Sequence, residues 1–439
     1  MQGGNNIMKK KIVGFFVCLI LIIPIQSVIS ASQNFKMTYN FNSTNVKKDI
    51  IDIINQVNQT LISYYLEGLL QFGTRYTGSE NCKKAAEYIY DEFKKLGLDT
   101  YVDQWRYLRH KCQNVVATLN GTNPSSDAVF LLCAHFDTIG DSPGANDDGS
   151  GIAAMLTIAN ICSKFSFNYS ICFLAVSGEE VGLYGSHNYA RKMYEKDENI
   201  VAVLNMDTIG NSTIEGENVI YLLKPQRAVW LSLFIEEISQ TYFEHINLYV
   251  LPVDDRKNDQ RSFLNYGYDA VQFVQLARGK YPLHTPQDTI EKINYVFLIK
   301  VTKLILATTV ELADKPIDVQ VRILTPYEDY LYLFDRPIFK KSDIFIGSRE
   351  SRGSTYILGR AKARVNVTTE EEIVSVGYSI DGFFTFIGFF QNPPYDWEIQ
   401  ISSKKIFPIR GKHTLGVYVC TKSGKTAYDE MDITVLSLY

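Results

Sequence analysis

Across residues 46–72 the apolar positions Ile50, Ile51, Ile54, Val57, Leu61, Tyr64, Tyr65 and Leu69 recur at helical intervals, which predicts one amphipathic helix. The segment GTRYTGS at 73–79 breaks that pattern, and Ser79 is placed to cap a second helix that runs to Leu96 and stops at Gly97. Short strands are expected over 100–105 and 114–119. Beyond them, continuous apolar runs alternate with helical periodicity. The runs cover 129–133, 170–176, 200–206, 219–223 and 270–274; the helical patterns cover 151–165, 183–195, 227–242 and 290–312. Unbroken apolar strands are covered on both faces, so the alternation predicts an α/β domain whose mostly parallel sheet is flanked by helices.

Near residues 313–317 the helical period stops. Strand-like runs follow at 319–324, 363–367, 372–380 and 414–421, and Asp381-Gly382 after the alternation Val374, Val376, Tyr378, Ile380 is a two-residue hairpin signal. The expected organisation is therefore an α/β domain over 32–314 followed by an all-β sandwich over 315–439. Residues 1–31 read as a signal peptide: Lys9, Lys10 and Lys11 precede an apolar run over 12–25, and Ser27, Ser30 and Ala31 follow. The run is short for a bilayer span. No later stretch is long and apolar enough to cross a membrane, so the expectation is export, with a secreted or cell-surface location and no span after cleavage.

Composition narrows the partners. The chain of 439 residues is 46% apolar and carries a formal charge of -4, with no basic excess to hold nucleic acid, so small molecules or peptides are expected instead. Beyond the signal, Cys82, Cys112, Cys133, Cys162, Cys172 and Cys420 form no zinc-knuckle spacing, and a Cys82 to Cys112 bridge stays open. Acceptor triplets for glycosylation begin at Asn42, Asn58, Asn120, Asn168, Asn211 and Asn366.

The candidate chemistry clusters after the predicted strands. VFLLCAHFDTIGDSPGANDDGSG at 129–151 runs from an apolar strand into His135 and Asp137, then Asp147 and Asp148 at the start of a helix. At strand spacing, His135 and Asp137 point the same way, so the carboxylate is placed to take the second ring proton and leave the other nitrogen a better ligand. Turn-forming Asp, Asn and Gly are the plain alternative; a calcium loop fails because Gly144 and Met155 stand where acids are required. Glu179 and Glu180 follow the strand that starts at Ile171, Asp207 follows the strand from Val201, and His284 lies in the loop after Phe273. In an open parallel sheet such strand-end groups converge.

The segments AHFDT, GANDDGSG, SGEEVGLYGS, NMDTIG and HTPQDT, in this order, resemble the secreted two-zinc aminopeptidases of the bacterial leucyl aminopeptidase and aminopeptidase Y type. The resemblance covers about residues 46–312 and implies the zinc exopeptidase fold. It implies that His135 and Asp207 bind one zinc and Glu180 and His284 the other, with Asp147 bridging. Glu179 would be the general base acting with a metal-bridging hydroxide, and Asp137 the partner of His135. Two zinc ions, three carboxylate ligands and one hydroxide sum to neutrality, and imidazole with carboxylate suits zinc. The implied substrates are peptides with a free N-terminus. A carboxypeptidase or glutaminyl cyclase on the same fold, and a non-catalytic binding scaffold, are the alternatives.

Other positions carry less. Asp148 would adjust the bridging loop, Asp288 would hold the turn after His284, and Tyr281 would either donate to an oxyanion or pack on the surface. His187 reads as structural, and His110, His245 and His413 show no motif. Asp254, Asp255 and Asp259 read as an acidic loop, and Phe383, Phe384, Phe386, Phe389 and Phe390 as packing residues of the C-terminal domain, which resembles immunoglobulin-like modules. Arg278 and Lys280 are the only cations near a ligand segment, which favours recognition of an amine over a C-terminal carboxylate.

Overall fold

The apolar runs at 129–133, 170–176, 200–206 and 270–274 lie side by side as the parallel centre of an eight-stranded sheet. The computed structural model describes residues 48–211, 218–224, 228–254, 258–275, 281–314, 319–327, 330–340, 355–369, 371–381, 383–390, 393–400, 411–422 and 426–436. The α/β part begins α1 (Lys48–Ile54), α2 (Gln59–Leu70), α3 (Glu80–Lys95), β1 (Asp99–Tyr107), β2 (His110–Leu119), β3 (Val129–His135) and α4 (Gly149–Cys162). It continues β4 (Ser170–Val176), α5 (Tyr184–Glu195), β5 (Ile200–Met206), β6 (Val219–Lys224), α6 (Val229–Thr241) and a short α7 (Phe243–Ile246). It closes with β7 (Tyr249–Asp254), α8 (Asp259–Leu264), β8 (Ala270–Val274), a single 3-10 turn at Ile290–Lys292, and α9 (Tyr295–Asp314).

Strand order is β1-β2-β4-β3-β5-β8-β6-β7. β4, β3, β5 and β8 are mutually parallel, while β1 and β2 add an antiparallel hairpin on one side and β6 runs antiparallel to β8 on the other. Register aligns the ends that matter: His135 pairs with Val176, Cys133 with Asn205, and Met206 with Phe273. The loops that follow these residues therefore leave the sheet at one level. α4 is buried on every side, from Ile152 through Met155 and Leu156 to Cys162, as expected of a helix that is apolar all round.

Two expectations for this part need correction. The predicted single helix over 46–72 is two helices, because Asn58 adopts an extended backbone and its side chain accepts a hydrogen bond from the Leu61 amide, capping α2. The apolar period passes through the break since Val57 is also buried. The acidic loop at 254–259 is instead bounded by β7 and α8. β7 is an edge strand with Tyr249 and Leu251 exposed, and α8 has only six residues, too few for a period to register. Asp255 and the side chain of Asp254 lie outside the described residues.

The C-terminal part contains β9 (Gln320–Thr325), β10 (Tyr330–Leu333), β11 (Arg336–Lys340), β12 (Thr355–Leu358), β13 (Arg360–Thr368), β14 (Ile373–Ile380), β15 (Phe383–Phe390), β16 (Trp397–Gln400), β17 (Gly411–Thr421) and β18 (Thr426–Leu436). They form a seven-stranded sheet, β11-β10-β12-β18-β17-β14-β15, and a three-stranded sheet, β16-β13-β9. Ile323, Ala361, Ala363, Trp397 and Ile399 of the smaller sheet share a core with Tyr378, Leu415, Val417, Val419 and Ile433 of the larger. Ile380 pairs with Phe383 across Asp381, whose φ of 55 suits the expected hairpin turn. Phe390 meets Tyr378 edge-on; the side chains of Phe383, Phe384, Phe386 and Phe389 lie outside the described residues.

The two parts touch through side chains. The Tyr194 hydroxyl donates to the Leu324 carbonyl, Thr368 Oγ1 donates to Asn199 Oδ1 at 3.1 Å, and the Arg322 guanidinium lies 4.4 Å from the centre of the Tyr268 ring. The six cysteines among the described residues are free, including Cys82 and Cys112. Among the described residues no helix is long and apolar enough to cross a membrane. Phe173, fully buried on the central strand β4, should destabilise the chain by about 3–5 kcal/mol when changed to Ala. Val296→Ala, at a site 67% exposed, should stay within about 0.5 kcal/mol; denaturant unfolding of both variants checks the contrast.

Candidate metal centre

Each of the four central strands delivers one segment to the same end of the sheet. β3 ends in His135, the loop after β4 carries Glu179 and Glu180, β5 runs into Asp207, and the segment beyond β8 carries His284. Asp147 joins them from the turn before α4. His135 Nε2 lies 3.3 Å from Asp147 Oδ1 and 3.8 Å from Asp207 Oδ1. His284 Nε2 lies 3.1 Å from Asp147 Oδ2 and 3.2 Å from Glu180 Oε2. Two donor sets result, His135 with Asp147 and Asp207, and Asp147 with Glu180 and His284, each with its donor atoms within 4.8 Å of one another. The two oxygens of Asp147 face different sets.

These sets fit zinc. Bonds of roughly 2.0–2.1 Å in a tetrahedral shell put neighbouring donors about 3.3 Å apart, close to the observed spacings. The donors are imidazole nitrogens and carboxylate oxygens, the borderline-soft mixture that zinc takes, with the Asp147 carboxylate able to serve two ions. The donors also shift one another's titration. Burial opposes a charge on His135, but its contacts with Asp137, Asp147 and Asp207 outweigh that and hold the imidazole well above its usual range. Contacts with Asp147 and Glu180 push His284 up to about 10. Burial acts against ionised Asp147 as well, yet the two imidazoles hold its carboxyl below the usual range. Burial raises Glu179 well above normal, with acids at Asp259, Asp207 and Asp137 adding to it.

A second layer fixes this arrangement. Asp148 is fully buried and accepts from three backbone amides: Gly151 at 2.9 Å, Thr208 at 3.2 Å and His135 at 3.3 Å. One carboxylate thereby joins the ends of β3 and β5 to the first turn of α4. Asp288 accepts from the Asn146 and Asp147 amides at 2.8 and 3.1 Å and from the Tyr281 hydroxyl at 2.7 Å. It holds Asp147 by its backbone, and the Tyr281 hydroxyl is engaged in that support. Asp207 Oδ2 accepts from Asn258 at 2.5 Å and Gln272 at 3.1 Å.

Asp137 has a broader role than its spacing suggested. Its backbone carbonyl, at 3.1 Å, is the nearer partner of His135 Nδ1, while its carboxylate oxygen is 3.6 Å away. That carboxylate accepts from the Thr77 hydroxyl at 2.6 Å and from the Glu179 and Glu180 amides at 3.3 and 3.4 Å. Glu179 itself belongs to neither donor set among the described residues.

Sequence reasoning treated 73–79 as a helix breaker and missed Arg75 and Thr77. Arg75 is fully buried and donates to the carbonyls of Phe136 at 2.7 Å, Pro143 at 2.7 Å, Gly73 at 3.0 Å and Gly144 at 3.1 Å. It staples the exit of β3 to the loop that carries Asp147, and burial lowers its guanidinium to about 10. Asp259, expected in an acidic loop, is buried at the start of α8, and burial raises its carboxyl to about 7. His187 meets the Tyr266 hydroxyl at 3.2 Å, away from the donor sets.

Residues 114–309 match the profile described as Peptidase family M28. A probable zinc metalloprotease of Pyrenophora tritici-repentis is 27% identical over 288 residues, covering 52% of this chain and 66% of its own length. Aminopeptidase YwaD of Bacillus subtilis is 29% identical over 210 residues, covering 46% of this chain and 45% of its own length. The chain thus spans less than two thirds of either curated relative. Among solved structures, LapB from Legionella pneumophila aligns with a TM-score of 0.57 and 25% identity, over 61% of this chain and 76% of that one.

Because Asp288 holds Asp147 only through backbone amides, Asp288→Ala should leave the fold intact yet weaken zinc binding by about 10–100-fold. Competition with a chromogenic chelator measures this; an unchanged affinity would show that the loop keeps its shape unaided.

Proposed function

The α/β part of this chain belongs to peptidase family M28, and on that premise we propose that the protein is a secreted two-zinc aminopeptidase removing N-terminal residues from peptides. The observation that carries the reading is the pair of donor sets that share Asp147. In this proposal His135 and Asp207 hold one ion, Glu180 and His284 the other, and Asp147 both. When bound, the two ions lower the pKa of a water and polarise the scissile carbonyl.

The chain's own groups do the rest. Glu179 stands beside a ligand without joining either set, so its carboxylate is available to accept a proton from the attacking water and return it to the leaving nitrogen. Burial makes its protonated form easier to reach, which suits a carrier that must hold the proton between the two steps. Asp137 keeps Glu179 and Glu180 in place by accepting both backbone amides.

A free α-amine is a cation that carboxylates can hold. Among the described residues, Arg75 has its guanidinium engaged by four carbonyls, which occupies it in holding the loops together. Arg278 and Lys280 lie outside the described residues. The likeness to a relative named as an aminopeptidase favours an aminopeptidase over a carboxypeptidase. Export is supported by Lys9, Lys10 and Lys11 ahead of the apolar run at 12–25.

The purified protein should take up about two equivalents of zinc, as a two-metal site requires. A single equivalent with full activity would favour a cyclase. Glu179→Gln should retain both ions while turnover falls by about 10²–10⁴-fold, since only the proton carrier is lost. Metal analysis beside kcat separates that outcome from metal loss. Acetylation of the substrate amine should abolish cleavage; hydrolysis of blocked peptides that depends on a free C-terminus would overturn the aminopeptidase reading while leaving the metal assignment standing.

A further inference from the structure

Leu183 ends the loop after β4 in the left-handed region, with φ 63, and Tyr184 opens α5 with 39% of its surface exposed. A single exposed tyrosine is ordinary. This one is part of a built surface. Its ring lies nearly parallel to Trp105, planes 5° apart and centroids 6.3 Å apart, and Tyr107 leans against it at 5.3 Å. Trp105 is buried, donates its indole N–H to Asn114 Oδ1 at 3.1 Å, and presses on Gly178 so closely that a Cβ there would come within 2.4 Å of the indole. The same Asn114 accepts from the Ser177 amide at 3.2 Å and donates to the Gly185 carbonyl at 3.1 Å. Both ends of the loop that carries Glu179 and Glu180 therefore hang on one side chain of β2.

Next to Tyr107 in the chain, the β1–β2 turn holds Leu108, 81% exposed with φ 51, the most exposed large apolar side chain among the described residues. An exposed aliphatic tip one residue from these rings adds apolar surface that a ligand could cover.

The occupant follows from the proton transfer. The leaving nitrogen must come within hydrogen-bond reach, roughly 3 Å, of the Glu179 carboxylate to receive its proton. The residue bearing that nitrogen starts at Glu179, and the surface carried by the same loop is the one tied to it by backbone hydrogen bonds. Tyr184 is on that loop: its amide donates to the Gly178 carbonyl at 2.9 Å, and the Leu183 amide to the Glu179 carbonyl at 3.1 Å. We propose that Tyr184, backed by Trp105 and flanked by Tyr107 and Leu108, receives the second residue of the peptide and selects for an apolar or aromatic side chain there. A ring already fixed by stacking loses little freedom on contact, so the contact favours binding. This assignment rests on the aminopeptidase reading above.

The test is a series of dipeptide amides with a free amine, leucine first, and glycine, aspartate, leucine or phenylalanine second, compared by kcat/KM with the zinc-loaded protein. Phenylalanine should exceed glycine by about tenfold, the scale of one modest apolar contact. Tyr184→Ala should bring that ratio to within about twofold, Tyr184→Phe should keep it, and Leu108→Ser should reduce it in part. A flat series in the unsubstituted protein, or a ratio untouched by Tyr184→Ala, overturns the assignment while leaving the aminopeptidase reading intact. Failure to hydrolyse any member overturns both.

Discussion

The constraint on which the rest depends is the burial of like charge. Asp137, Asp147, Asp148, Asp207 and Asp288 are all buried, and Glu179 and Glu180 stand among them. Ionised carboxylates removed from water are costly unless each is paired or hydrogen-bonded. The structure divides the problem in two. Asp148, Asp288 and Asp137 are satisfied by backbone amides and hydroxyls, whereas Asp147, Asp207 and Glu180 turn oxygens toward imidazole nitrogens. The second group is incompletely neutralised by the protein itself, which is the electrostatic condition for taking up divalent cations.

The supporting contacts explain why the donors stay in place. A parallel sheet brings four strand ends to one level but leaves the following loops free to wander. Here those loops are tied to one another and to the strand ends: Arg75 joins the exit of β3 to the loop that carries Asp147, Asp148 joins the ends of β3 and β5 to α4, and Asp288 holds the Asp147 backbone. Asn114 and Trp105 do the same for the loop of paired glutamates from the antiparallel edge. The hairpin β1–β2 is thus part of the site's frame, and its exposed turn forms the adjoining surface.

Much of the fold was legible along the chain. The runs at 200–206 and 270–274 match β5 and β8 residue for residue, because strands covered on both faces leave an unbroken apolar signal. Ser79 caps α3 through the Cys82 amide as its position implied. Edge elements were not legible. β7 has its outward residues exposed, α8 is a turn and a half long, and β10, β12 and β16 have four residues each, below the length at which a period can be told from chance. β18 does alternate, with Ala427, Asp429, Met431, Ile433 and Val435 inward, and could have been read.

For the site, the sequence by itself determined the chemistry: which residues carry imidazole and carboxylate groups, and that each group follows an apolar strand or opens a helix. Those are local properties, carried by side-chain type and by periods of a few residues. Only the tertiary structure decided which carboxylates face the shared donor space and which are consumed in holding it. Asp147 and Asp148 are neighbours with the same side chain, yet one faces two imidazoles and the other caps α4, and nothing in their order tells them apart. Asp288 reaches an amide 141 positions away, and the Arg75 amide meets Thr138 across 63. Such pairings are set by how the sheet twists and its loops pack, a property of the whole chain that no local period records.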